Sequence, residues 1–325
     1  MNFLPCLNAL NWGELSQEFM SIAIISPGRD PKVWIEALRY HQPEIDIQVY
    51  PEIDRPEAVE MALLWQHPPG YLKTFPNLKL ISSLGAGVDH ILSDPAVGDT
   101  LPIVRIVDEK LTWSMTNYVI MGVLNFHRQF LRYHHDQQAK TWDMTNPEIP
   151  VKVGVMGVGA LGGDVLTKLD GLGFEVVGFG FSEKKDFHYP YYQKDQLEEF
   201  LAQVNVLVCL LPLTPETEGI LNLSLFKKCS KGTYLINVAR GKHLVEQDLL
   251  VALNEGMLSG ALLDVYQVEP LPIQHPFWEE NRIQLTPHIA SVTNPKAAAP
   301  QIIENYKRAK TAIPLLNVVN RTRGY

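Results

Sequence analysis

Short apolar runs alternate with more polar segments through the first third of the chain. Five of these runs have the composition of strands, at 21–26, 46–50, 61–65, 78–83 and 103–107. The segments between them have helical or turn composition. This rhythm predicts a parallel, doubly wound α/β sheet. Because the first run starts directly after Met20, we interpret the first nineteen residues as a loose extension, with translation starting at Met1 or Met20.

A long stretch at 114–138 is rich in helix-compatible residues, and its apolar positions cover more than one helical face. This pattern predicts a largely buried helix that could lie at an interface. The proline-rich segment 146–150 then reads as a hinge.

A second series of strand-like runs follows the hinge. Its members are continuous rather than alternating, and they lie at 151–156, 174–179, 204–211, 232–239, 260–266 and 282–287. Such runs are typical of strands buried on both faces of a parallel sheet. The final segment, 294–313, has helical spacing and could return to the first domain. We therefore predict one domain from 1–112 with 294–325, and a second from 113–293.

Composition and charge narrow the class of protein. The 325 residues suffice for two domains, and 46% hydrophobic with 20% charged residues is typical of a soluble globular protein. A net charge of −8 argues against nucleic acid or an anionic membrane as the main partner, but it does not exclude a small anionic substrate. No apolar run has the length of a membrane helix. The three cysteines, Cys6, Cys209 and Cys229, show no CxxC spacing, so a reducing cytoplasm is expected.

A glycine loop opens the second series. Gly157-x-Gly159-x-x-Gly162 follows the strand-like run 151–156 directly and begins a helical segment. In a dinucleotide-binding unit these glycines permit the tight turn, the approach of the pyrophosphate and the close packing of helix on sheet. The alternative is a purely structural glycine turn, which the strand-loop-helix context disfavours.

The end of the next strand normally selects the cofactor. An acidic residue there binds the ribose 2′-hydroxyl of NAD, whereas basic or small polar residues admit the 2′-phosphate of NADP. This sequence reads "FGFS" at 179–182, followed by Glu183 and Lys184. We predict NADP, with Ser182 and Lys184 as phosphate partners. Glu183 leaves NAD open, and a solvated basic turn is the structural alternative.

Three further strand ends carry charged or titratable residues of the kinds used in catalysis. Arg240 ends one run, Asp264 and Glu269 lie at and beyond the next, and His288 follows the last. Ligands bind outside the carboxyl ends of strands in open α/β sheets. Reduction of a 2-oxo acid needs a group that holds the carboxylate, which suits arginine, and a proton donor, which suits histidine. A nearby carboxylate would orient the imidazole and stabilise its protonated form.

Each of these residues also has an ordinary structural explanation. Arg240 could pair with a surface acid, Glu269 could be a turn residue, and His288 could be a packing residue. The coincidence of all three at strand ends of one sheet favours a catalytic set.

The first domain offers a second anion site. Gly85, Ala86 and Gly87 follow a strand-like run, and such small residues expose successive backbone N–H groups that bind carboxylate. The alternative is a turn that enters the next helix. With one anion-binding group on each domain, substrate would draw the two domains together across a cleft and expel water.

At these motifs the chain resembles the D-2-hydroxyacid dehydrogenase family, and within it the glyoxylate/hydroxypyruvate reductase A group. The similarity covers nearly the whole chain from about residue 21. The matching segments are "LLWQHPP" (63–69), "SLGAGVDHIL" (83–92), "LLPLTPETEGILN" (210–222), "LINVARGKHLVEQDLLVAL" (235–253), "ALLDVYQVEPLP" (261–272), "TPHIASVT" (286–293) and "RTRGY" (321–325).

The resemblance implies a Rossmann cofactor domain, a flavodoxin-like substrate domain and a cleft between them. It implies that Arg240 binds the substrate carboxylate and carbonyl, and that His288, paired with Glu269, donates the proton. The backbone at Gly87 and Val88 would hold the carboxylate.

On the same basis, Trp65 would wall off a small pocket and Asp264 would hold the nicotinamide carboxamide. The remaining implied cofactor contacts lie in the glycine loop and at strand ends, at Ala160, Leu161, Leu211, Pro212 and Ala239. The group often has arginine after the second strand for NADPH. Phe181 and Glu183 stand there in this chain, so it departs from the group's pattern at the position that selects the cofactor.

The predicted activity is reduction of small 2-oxo acids, glyoxylate and hydroxypyruvate first, with NADPH preferred. The resemblance also implies a homodimer, which suits the apolar stretch 114–138. Two alternatives remain: a dehydrogenase of another D-2-hydroxy acid, such as phosphoglycerate or lactate, or a nucleotide-sensing interaction protein of the same fold. No metal is expected, although His127, His134 and His135 have spacings that could share a helix face.

Overall fold

In the computed structural model of the protein, residues 20–324 are described. The predicted loose extension, 1–19, lies outside the described residues. The described chain forms two parallel sheets of five and seven strands, each covered by helices. The predicted α/β class with two parallel-sheet domains is therefore confirmed.

The first sheet has the strand order β2-β1-β3-β4-β5, with every pair parallel. Its strands are β1 (Ser21–Ile25), β2 (Asp46–Val49), β3 (Met61–Leu64), β4 (Leu80–Ser83) and β5 (Ile103–Val104). Helices α1 (Lys32–His41) and α2 (Asp89–Leu92) belong to this part of the chain. Strands β1, β3 and β4 are buried at every position, which explains their continuous apolar runs. All five predicted strands are confirmed.

The stretch predicted as one helix is two. Helix α3 (Glu109–His127) begins at Asp108, whose side chain accepts hydrogen bonds from the N–H groups of Lys110 and Leu111. It ends before Gln129, whose φ of +54° leaves the helical conformation. Helix α4 (Phe130–Ala139) follows and has no buried residue, so the expectation of a largely buried helix is wrong for this half.

The second sheet has the strand order β12-β11-β10-β9-β6-β7-β8, again parallel throughout. Its strands are β6 (Lys152–Met156), β7 (Glu175–Phe179), β8 (Tyr191–Tyr192), β9 (Val206–Cys209), β10 (Thr233–Asn237), β11 (Leu258–Leu263) and β12 (Ile283–Leu285). Six of these were predicted. Strand β8 was missed because two residues carry no periodic signal.

Helices and single turns connect these strands. The helices are α5 (Ala160–Gly171), α6 (Leu197–Ala202), α7 (Leu223–Phe226) and α8 (Glu246–Asn254). Short 3-10 turns occur at Pro56–Ala58, Tyr71–Thr74, Lys194–Gln196, Gly241–His243 and Pro276–Trp278.

The end of the chain packs on the first sheet. Helix α9 (Pro295–Lys310) packs on α1, and the hydroxyl of Tyr306 accepts a hydrogen bond from the N–H of Ser21 at 3.3 Å. The N–H of Val319 donates to the Ile103 carbonyl at 2.8 Å. Because α3 runs across the predicted boundary at 112/113, the residue-level boundaries there and at 293/294 remain a proposal.

Candidate active site

The glycine loop has the geometry that its spacing predicts. Gly157 has φ +99°, and a Cβ on it would lie 2.5 Å from the Leu210 carbonyl. A Cβ on Gly162 would lie 2.1 Å from the Gly157 oxygen, so helix α5 packs closely on β6. Around Gly159, at the amino end of α5, a Cβ would meet no atom within 4 Å. The loop therefore leaves open space next to the free N–H groups of a helix, where an anion such as pyrophosphate fits.

The first residues of α5 border that space. Ala160 is exposed and Leu161 is partly buried, packed against hydrophobic residues of both sheets. The turn after β7 carries Ser182, whose carbonyl accepts a hydrogen bond from the Tyr191 hydroxyl at 2.6 Å, and exposed Lys184. The Lys184 Nζ lies 5.3 Å from the centroid of the Phe187 ring.

Two neighbouring loops complete this side of the sheet. Leu211 and Ala239 are buried, and the Pro212 carbonyl accepts hydrogen bonds from Thr217 and from His243. His243 is fully buried, and its Nδ1 accepts the Arg240 N–H at 3.2 Å. Burial lowers the pKa of His243, so the neutral imidazole joins the two loops.

Arg240 is positioned by both domains. It follows β10, and its Nε donates to Asp89 Oδ1 of the first domain at 2.9 Å. Its Nη1 donates to the Ala239 carbonyl at 2.7 Å. A Cβ on Gly87 would lie 1.5 Å from Arg240 Nη2, so only glycine lets the guanidinium lie against this backbone.

The backbone near Arg240 is a group of free donors. Within residues 20–324, the N–H groups of Ala86, Gly87 and Val88 make no hydrogen bond. The preceding turn is held by Ser83, whose hydroxyl donates to the Gly87 carbonyl at 2.7 Å. The predicted carboxylate nest thus lies directly beside the predicted carboxylate-binding arginine.

His288 and Glu269 form a hydrogen-bonded pair. His288 Nδ1 lies 2.7 Å from Glu269 Oε2, and Glu269 Oε1 accepts the Tyr266 N–H at 3.0 Å. Although burial alone would raise the pKa of Glu269, these hydrogen bonds and the charge of Arg240 hold it below its usual value. The carboxylate therefore fixes the imidazole with Nε2 left for a substrate.

Asp264 holds the loop that carries His288. Its carboxylate accepts hydrogen bonds from Thr286 Oγ1 at 2.6 Å and from the N–H groups of Ile289 and Ala290, each at 2.8 Å. His288 has φ +56°, a left-handed conformation that a side chain adopts at a cost. The hydrogen bonds of Asp264 to residues on both sides of His288 stabilise this conformation. The predicted contact of Asp264 with the nicotinamide stays a proposal.

Trp65, which follows β3 of the first sheet, lies next to His288. Its ring centroid lies 6.3 Å from that of His288 and 5.1 Å from that of His90. A Cβ on Gly85 would lie 2.9 Å from the indole, so the nest loop is in contact with the ring. The structure thus brings Trp65, the nest, Arg240, Glu269 and His288 together.

Sequence reasoning missed several residues of this cluster. Asp89 orients Arg240, and Tyr118 of α3 is hydrogen bonded to Thr286 next to the Asp264 grip. His90 donates to the Leu64 carbonyl from beneath Trp65. Asp89 and His90 lie inside the motif "GAGVDH". An acidic residue directly after a predicted anion-binding loop was the signal that could have identified Asp89 as a partner of an arginine. No local pattern pointed to Tyr118.

Among residues 20–324, no group of three histidine, cysteine, aspartate or glutamate side chains could hold a metal ion. In the same range no helix is long and apolar enough to cross a membrane. Cys209 and Cys229 are free thiols.

A glycine loop between strand and helix and an Arg–Glu–His cluster at the carboxyl ends of a parallel sheet define an NAD(P)-dependent oxidoreductase. Residues 120–290 match the family model described as D-isomer specific 2-hydroxyacid dehydrogenase, NAD binding domain. The chain belongs to the D-isomer specific 2-hydroxyacid dehydrogenase family.

Relatives and solved structures agree with this assignment. The chain is 37% identical over 314 residues to glyoxylate/hydroxypyruvate reductase A of Yersinia enterocolitica, covering 94% of this chain and 100% of that protein. The corresponding protein of Serratia proteamaculans is 39% identical over 315 residues, with the same coverage of 94% and 100%.

Two crystal structures have nearly the same fold. One is the D-isomer specific 2-hydroxyacid dehydrogenase of Xanthobacter autotrophicus in complex with NADPH and MES, with a TM-score of 0.89, 35% identity and coverage of 94% and 100%. The other is the NADPH-dependent glyoxylate/hydroxypyruvate reductase of Sinorhizobium meliloti with NADP and sulfate, with a TM-score of 0.87, 34% identity and coverage of 94% and 100%.

Proposed function

We propose that this protein reduces glyoxylate and hydroxypyruvate to glycolate and D-glycerate with NADPH. The relatives that match it over 94% of its length carry the name glyoxylate/hydroxypyruvate reductase A. The observation that carries the proposal is the pairing of His288 Nδ1 with Glu269 Oε2 at 2.7 Å, beside Arg240 and the donors of the nest. These groups match the needs of a 2-oxo acid.

The described residues fit a dinucleotide. The open space at Gly159 lies at the amino end of a twelve-residue helix, and the strand ends at Leu211, Ala239 and Asp264 lead from there toward His288. NADPH, when bound, supplies hydride to the carbonyl carbon. The 2′-phosphate would meet Ser182 and Lys184, and two similar crystal structures contain NADPH or NADP.

The residues of the chain carry out the remaining tasks. The carboxylate binds to the N–H groups of Gly87 and Val88 and to Arg240, which fixes the carbonyl in the cleft. Arg240 then stabilises the charge that develops on the carbonyl oxygen. His288 donates a proton from Nε2 to that oxygen, while Glu269 stabilises the imidazolium before transfer. Trp65 limits the pocket and excludes water from the reacting atoms.

The direct test is to mix the purified protein with NADPH and glyoxylate and follow the NADPH absorbance. We expect turnover with glyoxylate and hydroxypyruvate, a higher kcat/KM with NADPH than with NADH, and loss of that preference in Lys184→Gln. The variant His288→Ala should lose most turnover but retain NADPH binding, measured by cofactor fluorescence. Near-normal turnover of His288→Ala would overturn the assignment. Binding of NADPH without turnover of any 2-oxo acid would favour a nucleotide-sensing protein.

We also propose a homodimer formed through the cofactor domain, working in the cytoplasm. Large exposed apolar side chains concentrate around α3 and α4, at Trp113, Met121, Leu124, Phe130, Trp142 and Met144. We call residues 128–149 the arm; it is closed at its base by two hydrogen bonds between His127 and Ile149. A second copy covering this surface would bury the apolar groups.

A further inference from the structure

A second arginine lies next to Trp65, on the ring that neighbours His288. Arg29 belongs to the turn after β1, where its N–H donates to the Ser26 carbonyl at 3.2 Å. Strand β1 is the neighbour of β3, so this turn lies beside Trp65 at the carboxyl edge of the first sheet. The Arg29 Cζ lies 4.2 Å from the centroid of the Trp65 ring, in cation–π contact.

The same ring connects Arg29 to the catalytic pair. The centroid of the Trp65 ring lies 4.2 Å from Arg29 Cζ and 6.3 Å from the centroid of the His288 ring. Burial against the protein lowers the pKa of Arg29, while the negative charge of Glu269 acts in the opposite direction. Arg29 is therefore within electrostatic reach of the site at which the substrate reacts.

Among the described residues, no carboxylate is in direct contact with the Arg29 guanidinium. Within residues 20–324, its guanidinium forms no hydrogen bond and no ion pair, whereas the guanidinium of Arg240 is bound by Asp89. A guanidinium stacked on an indole keeps its N–H edge free, and that edge matches a carboxylate or phosphate. The site thus has two arginines. Arg240 would bind the reacting end of a substrate, and within residues 20–324 the N–H edge of Arg29 makes no hydrogen bond.

We propose that Arg29 binds a second anionic group of the substrate, so that this cleft favours 2-oxo acids with a carboxylate or phosphate at the end remote from C1. The proposal rests on the proposed 2-oxo acid reduction. The first carboxylate occupies Arg240 and the nest, the Trp65 ring forms the wall between, and the distal anion reaches Arg29. Glyoxylate has no second anionic group, so Arg29 does not contribute to its binding.

The test compares kcat/KM for glyoxylate, oxaloacetate and 3-phosphohydroxypyruvate in the full chain with NADPH. In Arg29→Gln we expect the ratio of either dianion to glyoxylate to fall at least tenfold, and Arg29→Lys should restore part of it. The dianion with the larger loss identifies carboxylate or phosphate as the preferred group. Lys32→Gln is the matched control, since Lys32 is exposed nearby and loses the same charge. An unchanged ratio in Arg29→Gln would refute the proposal.

A binding measurement separates this proposal from the proposed function. Calorimetry of the protein with NADP compares succinate, an unreactive dicarboxylate, with butyrate, which has the same length and one carboxylate. We expect succinate to bind more tightly, and Arg29→Gln to weaken succinate at least fivefold relative to butyrate. If no 2-oxo acid is reduced but Arg29→Gln still weakens succinate relative to butyrate, the proposed reductase activity is wrong and the proposed dianion site is supported. If glyoxylate is reduced and Arg29→Gln changes neither ratio, the dianion site is wrong.

Discussion

At the scale of single residues, Arg240 shows how a side chain becomes oriented between two domains. Burial would raise the pKa of Asp89, but the positive charge and hydrogen bond of Arg240 lower it below its usual value. Asp89 therefore stays ionised and holds one edge of the guanidinium. The absence of a side chain at Gly87 lets the other edge reach the backbone donors of the nest.

The Glu269–His288 pair leads to a prediction about pH. Glu269→Gln removes the negative charge that lies 2.7 Å from His288 Nδ1. We expect the alkaline limb of the pH profile of kcat/KM for glyoxylate reduction to move to lower pH, with a smaller maximum.

Glu279→Gln is the control for this shift, since Glu279 is exposed and, within residues 20–324, only its backbone is hydrogen bonded. A profile of Glu269→Gln that coincides with that of the unmodified protein would contradict the pairing.

His90 predicts a dependence of stability on pH. Burial lowers the pKa of His90 to about 4, so the folded protein holds the neutral imidazole while the unfolded chain takes up a proton below about 6.5. Its contribution to stability is present above that pH and is lost as the pH falls toward 4. We expect the free energy of unfolding to fall by about 1 to 2 kcal/mol from pH 7 to pH 5 through this residue.

Urea unfolding of His90→Gln at both pH values checks this, because the variant should lack that part of the decline. His41→Gln, which changes an exposed histidine, should keep it. An equal decline in His90→Gln and the unmodified protein would show that His90 is not the group responsible.

At the scale of elements, the loops after β10 and β11 pack backbone against backbone. A Cβ on Gly241 would lie 1.8 Å from the carbonyl carbon of Tyr266, a fixed atom that no side-chain rotation can move away. Glycine at this position lets the loop of Arg240 and the loop of Glu269 lie in contact. The candidate catalytic residues Arg240 and Glu269, which follow two neighbouring strands, are thereby held close together.

Gly241→Ala should therefore destabilise the fold by about 2 kcal/mol and reduce kcat/KM by more than this loss of folded protein explains. The measurements are urea unfolding and kinetics on the folded fraction. Gly171→Ala at the end of α5 is the control, since a Cβ there meets nothing within 4 Å and alanine favours the helix. Equal stability of the two variants would contradict the close approach.

At the scale of the whole molecule, the arm is the part of the described chain that has no core of its own. Trp142 is 90% exposed and Phe130 is 60% exposed, and isolated helices as short as α4 are marginal in water. Arg132 ties the arm together through Asp143 and the Thr145 carbonyl. In the proposed dimer, a second copy would cover this surface and bury its apolar side chains.

We expect the purified protein to sediment as a dimer, with twice the 36.7 kDa mass of the chain. The double variant Phe130→Asp with Trp142→Asp should sediment as a monomer with a lower Tm, because charge replaces the apolar contact. Tyr40→Asp, at a side chain that is 83% exposed in the other domain, should remain a dimer. A monomeric unmodified protein would end the proposal.

Within residues 20–324, the sequence by itself determined eleven of the twelve strands, both sheets and the candidate set at their ends. Buried parallel strands are continuous apolar runs, and chemistry in such sheets lies at carboxyl ends, so Arg240, Glu269 and His288 could be found by position alone. The packing of Gly162 against the Gly157 oxygen also follows from local sequence, because these residues are near neighbours in the chain. The close approach of Gly157 to Leu210 joins two separate strand ends and does not.

Only the tertiary structure decided which partners these residues have. Asp89 and Arg240 are 151 positions apart, and Arg29 meets Trp65 through neighbouring strands. The break at Gln129 was hidden because helix-compatible residues continue across it. Local periodicity reports which side of an element is buried, whereas contacts between distant elements depend on how the sheets and domains pack, which no single segment encodes.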